Sequence, residues 1–294
     1  MAKGSTRGDG FATVAFRNGG PAMTQTVFNP EEAGAYYDDA AIRTFYRSCW
    51  GGDDIHIGLY TTGDESVGEA SAAMTRLLIE RAGIKPGDKV LDISCGYGGT
   101  LRQLARMGCE AHGRDIAPQE VALAREANAA AGLGEQIDVQ VGDFHQIVSP
   151  DAAWDAVICQ ESIIHSPDRA KVFSEVFRVL RAGGVFAISD ILTAEGGDPA
   201  RVEAAFARLG ARVGATARDY ARMAEEAGFE VVLVDERPAD IVTHYDKLAA
   251  ALADPIDGLT PEAKARISAS IANWQKALAS GDITWAMLIA RKPD

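Results

Sequence analysis

The run Val90-Leu91-Asp92-Ile93-Ser94-Cys95-Gly96-Tyr97-Gly98-Gly99 decides the architecture of this chain. Its first residues, with Lys89, form a short apolar stretch of the kind a buried strand shows, and its last form a glycine cluster ahead of a helical segment, Thr100 to Met107. A strand that passes through glycines into a helix is a βα turn, and glycines there let the backbone come close to a ligand at the mouth of a sheet. Taken alone, such a turn is only a tight connection until its surroundings say more.

The surroundings repeat the pattern. Before the run, Glu69 to Ala82 has helical spacing, and Ile84-Lys-Pro-Gly-Asp88 is a turn. After it, strands are expected at Glu110 to Ile116, Gln136 to Val141, Trp154 to Gln160 and Val185 to Ser189, with helices at Pro118 to Ala131 and Arg169 to Leu180. Arg181-Ala-Gly-Gly184 reads as the turn into the fifth strand. Two further helical stretches, a strand from Glu230 to Asp235, two more helices and a last strand from Ile283 to Arg291 complete the chain. This order predicts an α/β fold, a Rossmann-like seven-stranded, mostly parallel sheet covered by helices. The core is expected over 66–292, with an N-terminal helical cover at 31–65 and a helical insertion at about 238–280, before the last strand. Residues 1–30 read as a mobile leader; they hold no continuous apolar segment of the signal-peptide type.

Composition narrows the function. The chain has 294 residues, 47% apolar and 24% charged, which excludes disordered and fibrous classes. Its four cysteines show no C-x-x-C spacing, so neither a zinc cluster nor a disulfide framework is expected, and no other metal constellation stands out. No run of about 18 apolar residues exists, so no membrane span is expected and a cytoplasmic location is. A net charge of −13 argues against nucleic acid and anionic membrane surfaces as partners.

The ends of the successive strands carry acids. Asp115 closes the second strand 23 residues after Asp92, a placement that suits hydrogen bonds to ribose hydroxyls. Asp143 follows the third strand, placed to meet an adenine amino group while Phe144 packs on the ring. Each alone is as well explained as a loop cap; three ligand-type features at successive strand ends are not. A nicotinamide dinucleotide site is disfavoured. Its G-x-G-x-x-G, started at Gly96, would need glycine where Leu101 stands, and Asp92 would repel a pyrophosphate but suits a ligand bearing an ammonium group.

With Asp115, Asp143 and the Arg181–Gly184 turn, the Val90–Gly99 run resembles the class I S-adenosylmethionine-dependent methyltransferases. Ser94 stands where that family usually has the first glycine of G-x-G-x-G, a departure that serine tolerates if its φ stays negative. The flanks resemble the glycine/sarcosine/dimethylglycine N-methyltransferases of glycine betaine synthesis. The matching pieces are Tyr36-Tyr37-Asp38, Phe45-Tyr46, Trp50 to Tyr60, Gln160 to Arg169, Thr243-His244-Tyr245, and Asn273-Trp274 with Gly281 to Trp285.

The resemblance implies S-adenosyl-L-methionine as cofactor and a small-molecule amine, sarcosine or dimethylglycine, as acceptor; an O- or C-methyltransferase of another small metabolite is the alternative. It also implies cofactor contacts at Tyr36, Trp50, His56, Asp92, Ser94, Gly96, Asp115, Ile116, Asp143, Phe144 and Gln160, and acceptor contacts at Tyr37, His244 and Tyr245. His165, after the fourth strand, and Tyr97, inside the glycine turn, are the catalytic candidates; Arg169 could grip an acceptor carboxylate in a bidentate way. Structural readings stand beside several of these: Trp50 and Tyr60 as an aromatic cluster, His56 as a satisfied core histidine, Arg169 as a helix N-terminal residue. His112 and His145 read as surface, Trp274 and Trp285 as core. The sequence leaves the oligomeric state open, a homodimer included, and does not exclude a cofactor-binding protein without activity.

Overall fold

The computed structural model describes residues 40–51, 54–207 and 214–294. Strands β1 (Lys89–Asp92), β2 (Glu110–Asp115), β3 (Ile137–Val141), β4 (Trp154–Gln160), β5 (Leu180–Thr193), β6 (Glu230–Glu236) and β7 (Ile283–Arg291) form one sheet in the order β3-β2-β1-β4-β5-β7-β6. Strands β1 to β5 run parallel, and β7 lies antiparallel between β5 and β6. The expected Rossmann-like, mostly parallel sheet is therefore the observed one.

Helices among the described residues are α1 (Ala40–Cys49), α2 (Val67–Ala82), α3 (Gly99–Met107), α4 (Pro118–Ala130), α5 (Arg169–Val179), α6 (Pro199–Phe206), α7 (Ala217–Ala227), α8 (Pro238–Ala251) and α9 (Pro261–Ala279). They cover both faces, and the strand side chains alternate accordingly. Val90, Ala156, Ile158, Trp285, Met287 and Ile289 join the core under α1–α4, α6, α8 and α9. Leu91, Val157, Cys159, Ala286 and Leu288 join the core under α5 and α7. Central strands that are apolar on both faces are what a sheet sandwiched between helix layers requires. Helix α2 shows how local chemistry sets an element: Ser66 and Glu69 form a reciprocal capping box at its start, and Gly83 closes it at φ 70°.

Arg181-Ala-Gly-Gly184 is not a turn before the fifth strand. Trp154 pairs with Leu180 and Ala156 with Val185, so the four residues form a bulge inside β5, made possible by Gly183 at φ 70°. At its other end β5 runs past Ser189 to Thr193, because Asp190–Thr193 find partners in Ala286–Ile283 of β7. That pairing is contributed from almost a hundred residues away and leaves no local mark in the sequence.

Candidate active site

Chain order reverses between β1 and β4, which are neighbours in the sheet. At such a switch point the connections leave in opposite directions and open a crevice beyond the strand ends. A cavity opens there.

Its first wall is the glycine turn, from Ile93 through Ser94, Cys95 and Gly96 to Tyr97. Gly96 and Gly98 take positive φ (46° and 79°), and the Gly98 N–H donates to Cys95 O at 2.8 Å. Ser94 is not among the residues with positive φ, so its replacement of a family glycine is free of strain. A Cβ on Gly96 would meet nothing within 4 Å, so the turn presents bare backbone to the cavity. The Tyr97 hydroxyl is buried with no hydrogen-bond partner among the described residues.

The second wall comes from β2 and β3. Asp115 accepts the Gly96 N–H at 2.9 Å and the Ala117 N–H at 3.0 Å, and burial raises its pKa. The carboxylate thereby holds two loops together while facing the cavity with Ile116, which stays 39% exposed. Asp143 and Phe144 follow from β3. Asp143 accepts the His145 N–H at 2.8 Å and pairs with its Nδ1 at 2.7 Å, while His145 Nε2 reaches Ser166 Oγ at 2.8 Å. His145, expected at the surface, thus lines the cavity.

The third wall is the end of β4, with Gln160, Glu161, Ser162 and His165, faced by Asp54, Ile55 and His56. Gln160 Oε1 accepts from Thr100 Oγ1 at 3.0 Å. Asp54 Oδ1 accepts the Thr100 N–H at 3.1 Å and so caps α3, whose N-cap residue Gly98 offers no side chain. His165 is pushed down to about 4 by burial, so the ring is neutral at pH 7.

His56 behaves in the opposite way. Burial alone would lower its pKa, but the hydrogen bond to Glu161 (2.8 Å) and the charges of Glu161, Asp54 and Asp92 raise it to about 9. The folded value lies above the unfolded one of about 6.5. The stability His56 adds is therefore complete below about pH 6.5 and is lost as pH rises through about 9. The melting-temperature difference between wild type and His56→Gln is expected to shrink from pH 6 to pH 10, with the ring protons titrating near 9 by NMR. A ring that titrates near 6.5 with a constant difference would contradict this.

Five expected site residues stand elsewhere. Trp50 is buried among Phe45, Tyr46 and His244 and donates to His56 O at 3.0 Å, so it braces the segment that carries His56. His244 is fully buried; its Nδ1 accepts the Gly58 N–H at 3.1 Å and lies 3.0 Å from Tyr60 Oη. Tyr245 stacks on Trp274 in the core. Arg169 donates to the carbonyls of Ile163 and Ile164, beneath the 3-10 turn that presents His165. Asp92 is buried behind the glycine turn, accepting the Ser94 N–H, and burial raises its pKa to about 7. None of the five is among the residues lining the cavity. Tyr36, Tyr37 and the leader lie outside the described residues. Asp54, Glu161 and His145 were not foreseen; only their place beside recognised motifs could have suggested them.

The walls suit a cationic nucleoside. Carboxylates end β2, β3 and β4, an exposed isoleucine and a phenylalanine flank one pocket end, and no lysine or arginine is among the described lining residues. A pyrophosphate would meet repulsion here; a sulfonium carrying an adenosine would not. The fold and cavity are those of the S-adenosylmethionine-dependent methyltransferases. Residues 91–188 match the family model of a methyltransferase domain. The sarcosine/dimethylglycine N-methyltransferase of Aphanothece halophytica is 32% identical over 92% of this chain and 100% of its own length. The dimethylglycine N-methyltransferase of Parasynechococcus marenigrum (strain WH8102) is 34% identical over 89% of this chain and 95% of its own. A solved structure from Galdieria sulphuraria, named for sarcosine dimethylglycine methyltransferase activity, superposes with a TM-score of 0.80 at 33% identity, covering 86% of this chain and 98% of that one. The chain belongs to the family of the sarcosine and dimethylglycine N-methyltransferases, and its cofactor is S-adenosyl-L-methionine.

Proposed function

We propose that this enzyme methylates the nitrogen of sarcosine and dimethylglycine, the last steps of glycine betaine synthesis. The observation that carries the reading is a carboxylate-lined cavity with no lysine or arginine among its described walls, in a chain matched almost end to end by relatives named for those acceptors. When bound, S-adenosylmethionine supplies a sulfonium methyl group that is already electrophilic. What the protein adds is alignment and exclusion of water.

Asp115 would hold the ribose hydroxyls, and Asp143 the adenine amino group, with Ile116 and Phe144 on the ring. Ser94, Gly96 and Gln160 would line the remainder of the cofactor's bed. Tyr97 and His165 then stand on the acceptor side. A neutral, burial-weakened imidazole is a poor proton acceptor, so His165 serves better as a hydrogen-bonding guide than as a base. Arg169 donates to backbone carbonyls, and Arg43 and Arg47 of α1, which like it stand off the cavity wall, are alternative partners for an acceptor carboxylate. The segment 54–60 is pinned by α8 through Asp240, which accepts the Tyr60 N–H, and through His244, and we take it with α8 and α9 as the cover that excludes water.

Four free, buried cysteines accord with a reducing, cytoplasmic setting. No helix among the described residues is long and apolar enough to cross a membrane. A homodimer is part of the same reading, to be tested by light scattering. For the reaction, S-adenosylhomocysteine release is measured with glycine, sarcosine, dimethylglycine and a set of phenols. Release with sarcosine and dimethylglycine is expected. Release with phenols alone would replace this reading by O-methylation.

A further inference from the structure

Two non-glycine residues among those described adopt positive φ: Ala152 (54°), in an exposed turn, and Glu161 (48°), on the cavity wall at the end of β4. A glutamate held in the left-handed region persists only where its surroundings over-determine it, and such strain gathers at functional sites. The surroundings here are specific. Oε1 accepts from Ser189 Oγ at 2.7 Å and from Trp285 Nε1 at 2.7 Å. Oε2 faces His56 Nδ1 at 2.8 Å, and the Glu161 N–H donates to Ser189 O at 2.8 Å. A carboxylate offers about four acceptor positions, so these three donors orient it and leave one position on Oε2. The side chain is 9% exposed, so its charge acts in a poorly screened space.

Resting on the proposed amine acceptors, we infer that Glu161 is the catalytic carboxylate that faces the acceptor nitrogen and stabilises the positive charge that passes onto it. In the transfer the nitrogen lone pair forms the new N–C bond, the C–S bond breaks, and its electron pair goes to sulfur. Positive charge leaves sulfur and arises on nitrogen, where no proton can carry it away in the last methylation. A fixed, oriented carboxylate at that point lowers the barrier without having to reorganise. Ser189, Trp285 and His56 are its positioning residues. His56 stays protonated at pH 7 and thereby keeps Oε2 turned to the same place. The arrangement selects acceptors that become cationic, and it gives no advantage to a phenolate, whose product is neutral.

The test is Glu161→Gln, which keeps size and one carbonyl acceptor for Ser189 and Trp285 and removes the charge together with the acceptor that faces His56. With sarcosine and with dimethylglycine, kcat is expected to fall about a hundredfold, while the dissociation constant of S-adenosylmethionine stays within about twofold. Binding of glycine betaine, a readout free of turnover, is expected to weaken about tenfold. Ser189→Ala, which keeps the charge but removes one support, is expected to lower kcat about three- to tenfold. It serves as the deciding variant if Glu161→Gln shows no melting transition. Wild-type kcat in either folded variant, or a loss of cofactor affinity equal to the loss of kcat, would overturn the role of Glu161. A wild type inactive on every glycine derivative would instead overturn the acceptor assignment on which it rests.

Discussion

Asp115→Ala is expected to weaken S-adenosylmethionine binding by about 10- to 100-fold, the worth of one or two hydrogen bonds to a charged group, about 1.5–3 kcal/mol. The carboxylate faces the cavity at the end of β2, where a ribose would present two hydroxyls, and it also fixes the Gly96 N–H and the Ala117 N–H. Its removal therefore acts twice, on the ligand directly and on the backbone of the glycine turn. Stability should change less than affinity. Burial disfavours the ionised Asp115 and two backbone donors favour it, so deleting the group relieves one cost while creating another. Isothermal titration with S-adenosylmethionine and S-adenosylhomocysteine measures the loss. Unchanged affinity for both would remove Asp115 from the cofactor site.

Gly99→Ala is expected to disable the enzyme although it improves helix propensity. Position 99 opens α3, where alanine is better than glycine by about 1 kcal/mol. A Cβ there, however, would lie 2.0 Å from Asp54 Oδ1 and 2.2 Å from its Cγ, closer than any real contact. Asp54 cannot simply swing aside, because it is buried and its Oδ1 caps the Thr100 N–H. Overpacking of about 1–3 kcal/mol, together with a charged cap worth about 1.5–3 kcal/mol, outweighs the propensity gain. The melting temperature should fall by several degrees, at about 2–4 °C per kcal/mol for a chain of roughly this size. Because Asp54 and His56 move together, the His56–Glu161 contact should open and kcat fall at least tenfold, in keeping with what about 1 Å of misplacement costs a catalytic group. Calorimetry and steady-state kinetics check both parts. A variant with wild-type melting temperature and kcat would show that the Asp54 segment has room to retreat.

These two positions also mark what the sequence could disclose. That Gly96, Asp115 and Asp143 stand together on one cavity wall is legible because local rules place them: a glycine turn after a strand, an acid at the next strand end, another at the one after. Periodicity likewise placed β1 to β4 closely, since each is a buried strand with turn signals at both ends. Trp50, His244 and Tyr245 share one reason for standing off the cavity wall. Aromatic and histidine side chains can owe their place to packing as readily as to ligand contact, and here they pack on one another beside the segment 54–60. Arg169 is not legible in the same way, because it donates to backbone carbonyls, which have no sequence signature. Glu161 and Asp54 carry no local signal, because each takes these partners from residues 28 to 124 positions away, in a geometry that only the assembled sheet supplies.

On the proposed function, the methyl group lands on an amine nitrogen of a glycine derivative. Enzyme incubated with S-adenosylmethionine carrying a 13C-labelled methyl group and with dimethylglycine is followed by NMR. A labelled N-methyl signal of glycine betaine is expected to grow one for one with S-adenosylhomocysteine. S-adenosylhomocysteine formed without labelled betaine, or label arriving only on an oxygen or carbon of another acceptor, would contradict it.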